Sequence, residues 1–204
     1  ITQSAGKAGF LTGLYIVLVP LIRFVMGKKT SAFTFLGAIF ALAGLFFLCM
    51  TGNDISFGLG DIVLIIGAFF WAGHILVVDK HVNNISPLKF SLVQFFVCGV
   101  LSIIFALILE DINFAAVKSA GVPILYGGLM SVGVAYTCQI LGQRDADPTF
   151  ASIVFSTESV FSAIGGAIIL NEVMSGRGYL GCVLIFIGIV LSQLNTNLFK
   201  KKAK

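Results

Sequence analysis

The chain has 204 residues, of which 58% are hydrophobic and only 11% charged, and its mean hydropathy is +1.04. Soluble domains carry about 25% charged residues, so this chain has too much apolar surface for a water-soluble core. The net charge of +4 is small and lies mainly at the ends of apolar runs, which argues against a nucleic-acid-binding surface.

Seven apolar runs follow one another along the chain, each close to the roughly 20 residues that a helix needs to cross a bilayer. They cover residues 8–26, 33–51, 60–79, 87–109, 120–142, 149–170 and 177–194. Short breaks that contain charges, Gly, Pro or Asn separate them, as helix ends require. Backbone groups in lipid must be satisfied within the segment, so the sequence predicts seven transmembrane helices embedded in the lipid bilayer.

The distribution of Lys and Arg predicts the orientation of these spans. If the C-terminus is cytoplasmic and the spans alternate, ten of the thirteen basic residues lie on the cytoplasmic side. Only Lys7, Lys118 and Arg177 lie on the other side. This bias follows the positive-inside rule. It predicts a multi-pass protein of the cell (cytoplasmic) membrane, with residues 195–204 as a basic cytoplasmic tail.

Two segments of the chain resemble each other. "FLGAIFALAGLFFL" (35–48) aligns with "YLGCVLIFIGIVLS" (179–192), so that Gly37 corresponds to Gly181 and Gly44 to Gly188. The two copies start five helices apart, and an odd number means that they run in opposite directions. The sequence therefore predicts inverted five-helix repeats, an arrangement typical of transporters.

The repeat also predicts how the chain is organised. Residues 1–51 would form the last two helices of a first repeat, and residues 60–194 a complete second repeat. Seven helices of an expected ten are then present. The chain begins at Ile1 with no signal-peptide pattern, and we interpret it as an N-terminally truncated fragment.

These segments resemble the drug/metabolite transporter superfamily, and within it the ten-helix EamA-type transporters. The resemblance rests on "GDIVLIIGAFFWAGHILVVDK" (60–80), on residues 147–192 and, more weakly, on residues 9–22. It implies an all-α integral membrane bundle with a central cavity and no enzymatic activity. Glu172 before "YLGC" is typical of the family. Ser159 stands where the family often has Pro, which leaves a kink in the sixth span open.

Glu158 is the one acidic residue inside the sixth apolar run, "FSTESVFSAIGGAIIL". A carboxylate in lipid is costly and is a functional candidate for that reason. On a helical wheel the small residues of this run share one half with Glu158 at its edge, while bulky residues such as Val160 fall on the other half, expected to face lipid. We therefore expect Glu158 to point into the bundle or a cavity, and coupling of protons to substrate is one role that its carboxylate could have there. The structural alternative is a strut between helices.

Four other side chains are candidates for contact with substrate. His74 lies near Trp71 in the third span, Gln94 lies in the fourth and Gln139 in the fifth. Amides can bind polar groups of a ligand, and an indole offers an apolar or cation-stacking wall. A neutral structural histidine, hydrogen bonds between helices and simple core filling are the competing interpretations of these residues.

The leading hypothesis is a secondary transporter of small organic metabolites, outward by alternating access, with proton coupling and facilitated exchange both open. A scaffold subunit without transport activity is the alternative, and an intramembrane enzyme is less favoured because no hydrolase or metalloprotease motif is present. The sequence predicts no catalytic residue, metal site, cofactor or nucleic-acid partner. It leaves the substrate and the oligomeric state, including a homodimer, open.

Overall fold

The structure is a computed structural model that describes residues 5–28, 30–50, 58–169, 171 and 173–202, of which residues 5, 6 and 195–202 as backbone only. Seven helical segments are long and apolar enough to cross a membrane. They are Lys7–Val25, Ala32–Cys49, Leu59–His81, Pro87–Leu109, Gly121–Arg144, Pro148–Ile169 and Gly176–Leu194. No β-strand occurs within the described ranges. The predicted all-α membrane protein with seven spans is confirmed, and each span lies within two residues of its predicted bounds.

Several spans are built from more than one helix. The helices are α1 (Ala5–Thr12), α2 (Tyr15–Val25), α3 (Ala32–Cys49), α4 (Leu59–His81), α5 (Pro87–Leu109), α6 (Phe114–Ser119), α7 (Gly121–Tyr126), a π-helix (Gly127–Tyr136), α8 (Thr137–Arg144), α9 (Pro148–Phe155), α10 (Thr157–Ile169) and α11 (Gly176–Lys202). The backbone of α11 therefore continues into the predicted tail. Residues 51–57 and Glu172 lie outside the described residues.

Polar residues define where the helices begin and end. The Ser31 hydroxyl accepts a hydrogen bond from the Phe33 N–H (3.2 Å) and caps α3, and the Asn113 side chain caps α6 in the same way. Such caps satisfy N–H groups that have no partner within the helix. At the end of α2, Gly27 has a φ of +74°, which lets the Lys28 N–H donate to the Arg23 carbonyl (2.9 Å). A glycine in this left-handed conformation ends a helix at little cost.

The chain divides into two compact units. The first unit comprises residues 1–77 and 147–204, and the second comprises residues 78–146. The core of the first unit holds two buried clusters. Ile16, Ala38, Ala41, Leu45 and Ile153 form one of them, and Val19, Ala72 and Ile75 form the other. These clusters join α2 and α3 to α9, and α2 to α4.

Helices α3 and α11 of the first unit cross with their backbones in contact. A Cβ atom added to Gly37 would lie 2.5 Å from the Gly188 carbonyl oxygen, and one added to Gly44 would lie 2.5 Å from that of Gly181. Gly37, the earlier glycine of α3, thus meets Gly188, the later glycine of α11, and Gly44 meets Gly181. The two helices are therefore antiparallel. In this arrangement the first glycine of each aligned segment meets the second glycine of the other. A two-fold relation between inverted copies produces this exchange, although the division into two repeats stays a prediction.

The second unit is held together at one end by Val78, Val82 and Ile140, against which Phe90 packs. Along α5, by contrast, Ser91 is the buried residue and most apolar side chains are exposed. In a bilayer such a surface contacts lipid, which is as apolar as the side chains themselves. The ten residues of the π-helix lie in this unit.

Candidate functional site

The sixth span is interrupted at Ser156, between α9 and α10. Three hydroxyl groups near this point donate to carbonyl oxygens three residues earlier: Ser152 to Thr149 (2.8 Å), Ser156 to Ile153 and Thr157 to Val154 (2.7 Å). Such hydroxyls offer the backbone carbonyls a partner other than the helical N–H groups. The helix is thus interrupted at Ser156, and serine and threonine accompany the interruption rather than proline.

The break places Glu158 in the first turn of α10, where its side chain is exposed. Ser156 and Val160 are buried on the packed side of the span. Glu158 is two residues from each of them, a rotation of about 200° around the helix, so it points away from that side. Neighbouring helices therefore do not cover Glu158, and the expectation that Val160 faces lipid is wrong because its side chain is buried. A cavity in front of Glu158 stays a prediction. Within the described residues the Glu158 carboxylate makes no hydrogen bond or ion pair.

Trp71 and His74 lie close together on α4, in the same unit as Glu158. Their ring centroids are 5.5 Å apart and the rings are nearly perpendicular, at 88°. Both residues are half-buried, and the Nδ1 atom of His74 is fully buried. The buried neighbours Ala72 and Ile75 fix this part of α4 against α2. The pair is thus held in place while one edge stays accessible.

Gln94 and Gln139 lie in the second unit, on α5 and α8. These two helices contact each other, and both side chains are half-buried. The structure therefore brings Trp71 and His74 together on one helix and places the two amides on a pair of contacting helices. Each unit on its own carries part of the candidate set, and a common cavity for all five residues stays a prediction.

Two ion pairs in the first unit were not recognised from the sequence. Lys7 Nζ donates to Asp61 Oδ2 at 2.9 Å, and both side chains are buried. At the other end of the first span, Arg23 donates to the carboxylate of Asp147. The sequence offered only one local signal for these ion pairs. Asp61 and Asp147 both stand at the starts of helices, and Asp147 directly precedes Pro148.

Gln143 on α8 is a further polar residue that the sequence interpretation missed. Its side chain is 2% exposed, and neither its Oε1 nor its Nε2 atom has a hydrogen-bond partner in the part of the chain that the structure describes. Leaving buried polar atoms unpaired costs about 1–3 kcal/mol per group. Within the described ranges no group of three or more His, Cys, Asp or Glu side chains is clustered.

Comparison with known families matches residues 58–194 to the EamA-like transporter family. The chain belongs to this family. The match begins at the start of α4 and covers five of the seven spans. It corresponds closely to the segment 60–194 that was predicted as one repeat, and the resemblance to EamA-type transporters is confirmed.

Similar proteins come from archaea and plants. An uncharacterized transporter of Archaeoglobus fulgidus is 26% identical over 94% of this chain and 61% of its own length. An auxin-induced protein of Pinus taeda is 31% identical over 72% of this chain and 38% of its own length. A WAT1-related protein of Arabidopsis thaliana is 30% identical over 64% of this chain and 36% of its own length. The chain thus spans less than two thirds of each of these EamA-like relatives.

A solved crystal structure shares the fold of this EamA-like chain. It superposes with a TM-score of 0.77 at 18% sequence identity, over 94% of this chain and 69% of the other. At this identity the likeness concerns the fold alone. It agrees with the all-helical membrane architecture of the family.

Proposed function

We propose that this chain acts in secondary transport, moving small organic metabolites outward across the cytoplasmic membrane by alternating access. The observation that carries the proposal is membership of the EamA-like transporter family across five spans. The archaeal relative, which aligns with almost the whole chain, is itself named a transporter. The fold adds support, because secondary transporters build their sites from discontinuous helices.

Two of the spans are discontinuous in this way. The first is interrupted between α1 and α2, the sixth between α9 and α10, and α2 contacts α9. Interrupted helices expose backbone groups and terminal dipoles that can bind polar parts of a substrate. Backbone N–H groups at both breaks form i→i−3 hydrogen bonds (Leu14 to Leu11, 3.3 Å; Ser159 to Ser156, 3.2 Å), so polar backbone becomes available to a substrate there when these bonds open.

For Glu158 we propose a role in coupling proton movement to transport. Its side chain is exposed directly after the break in the sixth span, so no neighbouring helix among the described residues covers the carboxylate. An acid inside a membrane span is otherwise costly. Trp71 and His74 are the proposed substrate contacts of the first unit, and Gln94 and Gln139 those of the second.

Proteoliposomes that contain the full chain and a trapped pH-sensitive dye test the proposal. Amino acids, nucleosides, sugars and lipophilic cations are added in turn, and both proton flux and counterflow of radiolabelled solute are measured. Glu158→Gln should abolish proton flux while counterflow persists, because glutamine keeps the shape but cannot ionise. Ser162→Ala is the matched control, since Ser162 is exposed one turn further along α10.

The outcomes separate the parts of the proposal. Counterflow without proton flux in the unmodified chain would refute coupling and leave transport standing. An unchanged proton flux in Glu158→Gln would remove Glu158 from the mechanism. If no member of the panel were transported, the transport proposal for this chain would fail.

A further inference from the structure

The first span is fastened at both of its ends by ion pairs to other helices of the same unit. Near its start, Lys7 Nζ lies 2.9 Å from Asp61 Oδ2 on α4. Near its end, Arg23 Nη1 donates to Asp147 Oδ2 and, at 3.1 Å, to the Thr149 hydroxyl of α9. Lys7 and Arg23 are separated by about 24 Å along a continuous helix axis, so the two fastenings lie near opposite ends of the membrane-crossing length.

Each of the two carboxylates also accepts a hydrogen bond from a backbone N–H at the start of a helix, and this second bond fixes its position. Asp61 Oδ2 also accepts the Gly58 N–H (2.7 Å) ahead of α4, and Asp147 Oδ1 accepts the Thr149 N–H (2.9 Å) at the start of α9. Each aspartate therefore caps the helix to which it belongs, as acidic residues at helix N-termini do. Motion at either ion pair must then come from the half of the first span that carries the cation.

The two ion pairs differ sharply in their access to water. The side chains of Lys7 and Asp61 are 9% and 0% exposed, whereas those of Arg23 and Asp147 are 17% and 41% exposed. Ion pairs open to water contribute little because the solvent screens them. Breaking a buried pair by removing one partner is strongly unfavourable, because the other charge is left uncompensated. The Lys7–Asp61 pair is therefore the stronger fastening.

Between the two fastenings the first span has a weak point. Around the break the hydrogen-bond pattern shortens to i→i−3, with the Leu14 N–H donating to the Leu11 carbonyl (3.3 Å) and the Ile16 N–H to the Gly13 carbonyl (3.0 Å). Such a tightened stretch inside a span marks a hinge. A swing of α1 about this point would leave the α2 half attached to α9.

We propose that the Lys7–Asp61 ion pair is a latch, which holds α1 against α4 and must break before α1 can swing about Gly13 and Leu14. The inference rests on the proposed transport function, since alternating access needs one end of the bundle to open. Breaking the Lys7–Asp61 ion pair then contributes to the free-energy barrier of that opening. The more exposed Arg23–Asp147 pair keeps α2 in place without sealing it from water.

A native cysteine can report on the latch. Cys49 is half-buried at the end of α3, and a Cβ on Gly9 of α1 would lie 3.8 Å from its Sγ atom. Because α1 packs over Cys49, swinging α1 away should expose the thiol. The experiment uses the full chain in isolated membranes with both faces accessible. The other cysteines (Cys98, Cys138 and Cys182) are replaced by serine, and the rate of alkylation by a small maleimide is measured.

Asp61→Asn should raise the alkylation rate of Cys49 by about tenfold or more, because it removes the charge that holds Lys7. Lys7→Met should do the same. The matched control is Arg23→Met, which breaks the ion pair at the other end of the span and should change the rate less than about twofold. The double variant Lys7→Met/Asp61→Asn leaves neither charge of the pair uncompensated, so it should fold even where a single change does not. Its alkylation rate should also rise.

An unchanged rate in the double variant, with a cooperative thermal unfolding transition that proves it folded, would overturn the latch. An equal increase in Arg23→Met would also overturn it, because the effect would then be a general loosening of the bundle. Alkylation needs no substrate, so this result is independent of the transport assay. If the latch exists but the chain does not transport, only the alkylation assay gives the expected result. If the chain transports without a latch, only the proteoliposome assay does.

Discussion

Gly44→Ala should destabilise the protein by forcing α3 away from α11. The new Cβ would lie 2.5 Å from the Gly181 carbonyl oxygen and 2.8 Å from both the N and Cγ1 atoms of Ile185. The first distance is about 0.9 Å short of the 3.4 Å at which ordinary contact begins. Two of the three atoms belong to the backbone, so no rotamer change can relieve the overlap and the helix axes must separate.

The magnitude follows from two opposing contributions. Overpacking typically costs about 1–3 kcal/mol, whereas alanine gains about 0.8–1.0 kcal/mol over glycine inside a helix. Because the overlap is with backbone, we expect a cost at or above the upper end of that range and a net loss of about 2 kcal/mol in the free energy of unfolding. For a chain of this length, each kcal/mol lowers Tm by about 2–4 °C, so Tm should fall by about 4–8 °C.

The assay is thermal unfolding of the purified protein in detergent, followed by the fluorescence of Trp71, the single tryptophan. Gly99→Ala on α5 is the matched control, because no atom lies within 4 Å of the position of its Cβ. It makes the same change in helix propensity without an overlap, so its Tm should stay the same or rise. A second test combines Gly44→Ala with Gly181→Ala. The second substitution should cost less than it does alone, because the helices are already separated.

Equal Tm values for Gly44→Ala and Gly99→Ala would refute the reasoning, since the two helices could not then approach as closely as described. Full additivity in the Gly44/Gly181 pair would contradict the shared contact. If only one of the two single variants, Gly44→Ala or Gly181→Ala, lowered Tm, the added methyl group would overlap with a side chain and not with the backbone of the opposing helix.

Three further predictions concern single sites. Asp147→Ala should lower the free energy of unfolding by about 1 kcal/mol through loss of the α9 cap, while Asp147→Asn, which keeps the cap, should lose less; the Tm difference between the two variants measures this. Gln143→Met should leave Tm unchanged or raise it, because it removes two buried polar atoms that have no partner among the described residues. A fall in Tm of more than about 4 °C would show that a partner such as water satisfies the amide. A cysteine at Ser119, in a background without the four native cysteines, should react with an impermeant maleimide from outside intact cells, as the positive-inside rule predicts; reaction only after permeabilisation would reverse the orientation.

The positions of the spans were predictable because the signal is local. A run of about 20 apolar residues between polar breaks must form a helix in lipid whatever surrounds it. The aligned segments also indicated Gly37, Gly44, Gly181 and Gly188, although not that they meet across two antiparallel helices. Which glycine faces which depends on how the helices cross, and no single segment contains that information.

The direction of Glu158 was not predictable from a helical wheel. The wheel assumed one continuous helix over residues 149–170 and treated small residues as the packed side. Ile153, Ser156 and Val160 are all buried and lie within about 60° of one another on that wheel, so the periodicity holds across Ser156. The assumption that failed is the one about size, because two of these three packed residues are bulky. The Lys7–Asp61 pair was missed for a related reason, because the two residues lie in different spans and each alone resembles an ordinary helix-end charge.

The contact between α3 and α11 also constrains the order in which the protein assembles. Four other spans separate these two helices in the chain, and spans enter the membrane before they pack against one another. The surface of α3 that carries Gly37 and Gly44 therefore contacts lipid until the seventh span, α11, has been inserted. No side-chain rotamers are frozen when the glycines finally meet, so this late step carries little side-chain entropy cost. A chain that stopped before Gly181 would leave Gly37 and Gly44 without their partner surface.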